Sequence, residues 1–195
     1  MTDTQTPTSD PAYSYRPSLL GAAYAFRLAS DALEWQVGSR SGRIPYTSIR
    51  RVRLSFRPVP MQSYRFLAEI WSDGMPKLQL ASTSARTMME IARQDVQYSD
   101  FITELHRRIA AAGGDAAFES GKHPIVYWVG FVVFAAISLG LAALAVRGLQ
   151  AQSLAGAAFV AGFLALFLWQ VGSFFRRNRP RRYTADAPPA DLLPR

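Results

Sequence analysis

The sequence predicts an α+β chain. An N-terminal antiparallel β-barrel or sandwich, closed by a terminal helix, is followed by two transmembrane α-helices forming a hairpin. Three observations predict it. Apolar and polar residues alternate between residues 19 and 83, the period of half-buried strands. From residue 84 the period becomes helical. Two stretches of 23 and 25 residues further along carry no charge, and about 20 apolar residues suffice to cross a bilayer.

Charge follows the same division. The 195 residues hold 22 Lys+Arg and 14 Asp+Glu, a net of +8. Residues 1–122 carry +3, residues 123–175 only Arg147, and residues 176–195 six arginines against Asp186 and Asp191. That split excludes a simple soluble globule. With no cysteine in the chain, thiolate nucleophiles, disulfides and Cys-ligated metal sites are excluded.

The elements follow in chain order. Residues 1–18 are rich in Thr, Ser and Pro and read as a disordered N-terminus; their acidic start is unlike a signal peptide. Tyr24, Phe26 and Leu28 alternate, as do Leu33, Trp35 and Val37, and each run is a strand. Ser39 to Gly42 supplies a turn. Arg43 to Tyr46 begins a strand in which Pro45 requires an edge position. In residues 49–56, Val52, Leu54 and Phe56 face one way, and Arg51, Arg53 and Arg57 the other. Pro58 and Pro60 stop that run. Residues 64–71 form the next strand with Phe66, Ala68 and Ile70 inward, and Asp73-Gly74 turns it back into Lys77 to Ala81. A short amphipathic helix with Met88, Met89 and Ile91 is expected over 84–93. A second, capped by Ser99 or Asp100, carries the stripe Phe101, Ile102, Leu105, Ile109 and ends at Gly113-Gly114. His106 falls on its polar side as an exposed histidine.

Residues 113–123 read as a linker. Their GDAAFESGK ending has six residues between its glycines and no Ser or Thr after Lys122, so it is not a phosphate loop. The spans are 124–146 and 151–175, joined by a short loop at 147–150. Residues 176–195 are a basic, Pro-rich tail. Backbone amides left unpaired in lipid cost several kcal/mol each, so both spans are helical throughout. Ala157, Ala161 and Ala165, Ala158 with Gly162, and Ala136 with Gly140 stand four apart. They offer a close seam, either between the two helices or between two copies. Arg176, Arg177, Arg179, Arg181 and Arg182 crowd the far flank, and only Arg147 lies between the spans. The positive-inside rule then places both termini in the cytoplasm.

One stretch carries a family resemblance. Trp35-Gln-Val, then Ile44, Tyr46, Ile49 and Val52 at strand–turn–strand spacing, and the terminal helix resemble the pleckstrin-homology-like (PH-like) domains of small bacterial membrane proteins. The resemblance spans about residues 20–112, within a cytosolic domain expected over 19–112. It implies a cytosolic interaction or anchoring module beside a transmembrane hairpin in the bacterial inner membrane, with no enzymatic activity and no cofactor.

Arg40, Arg43, Arg50, Arg51, Arg53 and Arg57 fall in 18 residues without an acid. Arg51, Arg53 and Arg57 share one strand face and form a candidate patch for anionic lipid headgroups or an acidic partner, each basic residue contributing about 1 kcal/mol near such a surface. Nucleic acid is not the expected partner, because +3 over residues 1–122 is low for it. The expected function is a non-enzymatic integral membrane protein with a cytosolic binding or scaffolding module. The alternative is an accessory subunit of a larger transport or envelope-assembly complex.

Overall fold

A computed structural model describes residues 10–18, 20–59, 63–85 and 91–194. The chain divides into two compact units, Met1–Glu119 with Arg182–Arg195, and Ser120–Arg181. The first is α+β with antiparallel sheets, and the second holds two long apolar helices.

The first unit opens with strand β1 (Ala12–Tyr15), which pairs with β2 (Tyr24–Leu28). Part of the expected disordered terminus is therefore a sheet edge. The reason is aromatic: Tyr13 and Tyr15 are buried, and their hydroxyls donate to the carbonyls of Ala81 and Gln79. Residues 1–9 of that expectation lie outside the described residues. Strands β3 (Ala32–Val37) and β4 (Arg40–Pro45) complete a four-stranded sheet with β4 at its edge, where Pro45 is tolerated. The turn between them is at Gly38, whose φ of +60° suits glycine. Gly42, expected in the turn, instead lies in β4 opposite Trp35. A Cβ there would sit 2.8 Å from the indole.

After a 3-10 turn (Tyr46–Ser48) come β5 (Ile49–Val59), β6 (Ser63–Ser72) and β7 (Leu78–Ala81), paired in series. Alternation works as read: Val52, Leu54, Phe56, Phe66, Ala68 and Ile70 are buried. The helix expected over 84–93 is absent at its described ends. They are two short paired strands, β8 (Thr83–Ala85) and β9 (Ile91–Arg93); Met88 and Met89 lie outside the described residues.

Helix α1 (Asp95–Ala111) starts four residues before the expected cap at Ser99, with Asp95 in its first turn, where a carboxylate favours the helix dipole. Its stripe Tyr98, Phe101, Ile102, Leu105 and Ile109 is buried as the period requires.

The expected linker contains strand β10 (Ala117–Ser120). The expected tail begins, after the helices, with β11 (Arg181–Arg182). The second sheet runs β11-β10-β5-β6-β7. The division between the two units falls within β10 and β11.

In the second unit, α2 (Pro124–Gln150) and α3 (Leu154–Arg177) are long and apolar enough to cross a membrane, with mean hydropathies of 2.5 and 2.0. Pro124 occupies the first turn of α2, where its missing N–H costs nothing. The expected loop at 147–150 is the last turn of α2. Gly148 is tolerated in that turn, where a Cβ would sit 3.3 Å from Ala157, and the break between the helices falls at Ala151–Ser153, with Gln152 at φ 55°. Phe175 near the end of α3 meets Tyr127 and Phe131 near the start of α2, and Gly148 meets Ala157 at the other ends.

Candidate functional site

The basic face is built by strand alternation. β5 presents Arg51, Arg53 and Arg57 on the side opposite its buried apolar residues, and β6 places Trp71, Glu69 and Arg65 directly across from them. Trp71 collects the cations: the guanidinium carbons of Arg51 and Arg53 lie 5.4 and 5.3 Å from its ring centre, and Lys77 Nζ 5.7 Å. A cation over an indole is worth about 0.5–1 kcal/mol at an exposed site and more when desolvated.

The three candidate arginines are not equivalent. Arg53 donates two hydrogen bonds to Glu119 Oε2, at 3.2 and 2.6 Å, and its side chain is 13% exposed. Arg51 is 3.9 Å from the same carboxylate and 45% exposed. Arg57 is exposed. Arg53 is therefore an internal fastener that ties the expected linker to the sheet, while Arg51 and Arg57 remain open to solvent. Burial pushes the Glu119 carboxyl up, but Arg53, then Arg51, outweigh that and hold it below its ordinary range. Glu69 behaves likewise: burial raises it, and Lys77 and Gln79 bring it below the ordinary value through hydrogen bonds of 2.8 and 2.9 Å. Five cations (Arg51, Arg53, Arg57, Lys77, Arg182) thus act on two carboxylates, and the face keeps a positive excess.

The flanking arginines divide as well. Arg176 and Arg177 close the last turn of α3, where cations favour the helix dipole and orphan carbonyls. Arg179 is exposed, and Arg181 and Arg182 form β11.

Sequence reasoning missed two groups. Trp71 was within reach: the alternation that points Ile70 inward points Trp71 outward. Glu119 carried no local signal, since its partner is 66 residues away. His106 contradicts its expected exposure, being 0% exposed. Its Nδ1 donates to Ile102 O at 2.7 Å, so Nε2 accepts from the Tyr183 hydroxyl at 3.0 Å. Burial pushes its pKa down to about 4, only partly offset by the Ile102 bond, and the ring is neutral at physiological pH.

A cleft of ≈ 640 Å³ near the end of α1 is lined by Asp10, Asp31, Tyr46, Arg107 and Arg108, among others. Its arginines already have partners: both bind Glu104, and Arg108 also donates to the carbonyls of Leu28 and Ala29 at 2.7 Å. Two hydrogen bonds from Arg107 and one from Arg108 outweigh the effect of burial and lower Glu104 to about 2.

No protein-family model, curated protein or solved structure matches this chain.

Proposed function

We propose that this chain is a two-pass integral membrane protein of the bacterial inner membrane, with both termini cytoplasmic and a PH-like unit that works as a non-enzymatic binding or scaffolding module. One observation carries the reading: the side chains of α2 and α3 are overwhelmingly apolar and face outward, Trp128 at 60% exposure and Leu139 at 71% among them. In water that much open apolar surface is untenable, and in lipid it is the expected state. The PH-like assignment is supported by antiparallel strands followed by a packed terminal helix. The hairpin is supported by contacts that join opposite ends of α2 and α3. Topology is supported by the arginines after α3. The open cations Arg51 and Arg57 support anionic headgroups as a contact of the module.

The missing cysteines make the test clean. Single cysteines at Thr4, Gln152 and Asp186 are labelled in intact spheroplasts with a membrane-impermeant maleimide. Only Gln152→Cys is expected to react from outside, and the protein is expected to resist carbonate extraction. Labelling of either terminal site from outside sinks the topology, and carbonate release sinks the membrane assignment.

A second reading, an accessory subunit of a larger membrane complex, draws on the small-residue positions. Ala157 is buried against Gly148, whereas a Cβ on Gly140 or Gly162 would meet nothing within 4 Å. Those open positions suit a further helix. Co-purification of one multi-span protein in mild detergent, lost in a Gly140→Leu variant, would favour it.

A further inference from the structure

Segment 183–194 follows the arginine cluster and reads as a tail, yet it belongs to the β-rich unit. It is held at both ends on one face of α1. At one end the Tyr183 hydroxyl donates to His106 Nε2 at 3.0 Å, and the Tyr183 amide donates to Phe118 O at 3.1 Å. The His106 ring lies 4.9 Å from that of Phe118 and 5.8 Å from that of Tyr183. At the other end Ser99 Oγ donates to Pro194 O at 2.5 Å. Ser99 and His106 are i and i+7 on a helix, so they share a face about 10 Å apart. The segment therefore runs antiparallel to α1. Between its ends two tight turns, Ala187 N to Thr184 O at 3.1 Å and Leu192 N to Pro189 O at 2.9 Å, fold the chain and drive Leu192 inward to 1% exposure.

Such a strap must offset the entropy of ordering its whole length. Among its anchors are the Tyr183 ring, the buried Leu192 and Pro194 and several hydrogen bonds, while ordering each residue costs backbone entropy. Pro188, Pro189 and Pro194 reduce that cost by restricting the free chain, which pre-sets the segment for docking in its own chain or in another copy. Release uncovers the His106 ring and frees the Ser99 hydroxyl. That surface then accepts another ligand of the same shape: an extended segment with an aromatic hydroxyl aimed at an imidazole and a leucine that inserts. The sequence whose fit to this groove is on display is the chain's own.

We propose that the α1 face from Ser99 to His106 is a peptide-docking groove, and that its resident segment 183–194 exchanges with the same segment of a second copy, joining two chains by reciprocal docking.

Because the chain has no cysteine, exchange can be trapped directly. Full-length Ser99→Cys and full-length Pro194→Cys chains are mixed in detergent micelles, reconstituted together and oxidised. A disulfide heterodimer at least tenfold above that of a Ser99→Cys/Ser14→Cys control pair is expected. A heterodimer no more abundant than the control overturns the proposal. As a second measurement, a fluorescent peptide of residues 183–194 is titrated onto the full-length protein and onto its Leu192→Asp variant, which frees the groove without altering it. The variant is expected to bind at least tenfold more tightly than wild type, and the same peptide carrying Leu192→Asp is expected not to bind. Equal binding by both proteins, or no saturable binding by either, also overturns it.

Discussion

Leucine is treated in opposite ways by the two units. Leu54, Leu80 and Leu105 of the β-rich unit are 0% exposed, whereas Leu139 and Leu154 of the two-helix unit are 71% and 74% exposed. Helix α1 puts its apolar residues on one stripe and its charges elsewhere; α2 is apolar on every side and carries Arg147 only in its last turn. The difference supports the proposal that each unit is folded against a different solvent. The first hides apolar area from water, gaining about 25 cal/mol per Å². The second has a surface that only a hydrocarbon surround leaves unpenalised.

Truncating one leucine in each unit breaks or sharpens that contrast most strongly. Leu54→Ala should destabilise the β-rich unit by about 2–5 kcal/mol, because a cavity is left in a packed core. Leu139→Ala should leave that unit's melting unchanged within about 0.5 kcal/mol. Equal effects in a thermal melt followed by hydrogen exchange would erase the distinction. Next comes charge: Val133→Lys, near the middle of α2, should cost about 2.5–3.5 kcal/mol of insertion and lower the carbonate-resistant fraction. A fully resistant Val133→Lys protein would argue that α2 does not contact lipid.

Acid should act on the β-rich unit alone. The His106 pKa of about 4 in the fold lies below the 6.5 of an exposed imidazole, so the unfolded chain binds the proton first. The stability it contributes is complete above pH 6.5 and is lost as the pH falls towards 4, by up to about 3 kcal/mol. A His106→Gln variant should show a flatter stability profile between pH 6.5 and 4; an unchanged slope would remove His106 as the cause. The smallest effect expected is that of Glu119→Gln, which takes the carboxylate from Arg53 and should cost about 1 kcal/mol. A double-mutant cycle with Arg53→Gln measures the coupling, and zero coupling would mean that β10 is held by its backbone alone.

Wherever a period is local, the sequence was legible. Val52, Leu54 and Phe56 on one side of β5, the Phe101–Ile109 stripe of α1 and the two apolar helices all follow from spacing of two, three to four, or none. Three misreadings share another cause. The 84–93 helix has the right apolar spacing, but at its described ends the chain pairs strand to strand, and that depends on a neighbour. His106 sits between Glu104 and Arg107 and looks exposed, yet Tyr183, 77 residues on, covers it. The stretches called linker and tail have no period at all, being four- and two-residue strands plus a folded strap.

By itself the sequence determined which residues seek water and which avoid it, and therefore the strands, the main helix and the two apolar rods, because that preference is written within a few neighbouring positions. Only the tertiary structure decided that Glu119 fastens Arg53, that Trp71 gathers three cations, and that a segment beyond both apolar helices returns to dock on α1. Those partners are separated by long stretches of chain, and their meeting depends on packing and loop closure, which no local pattern encodes.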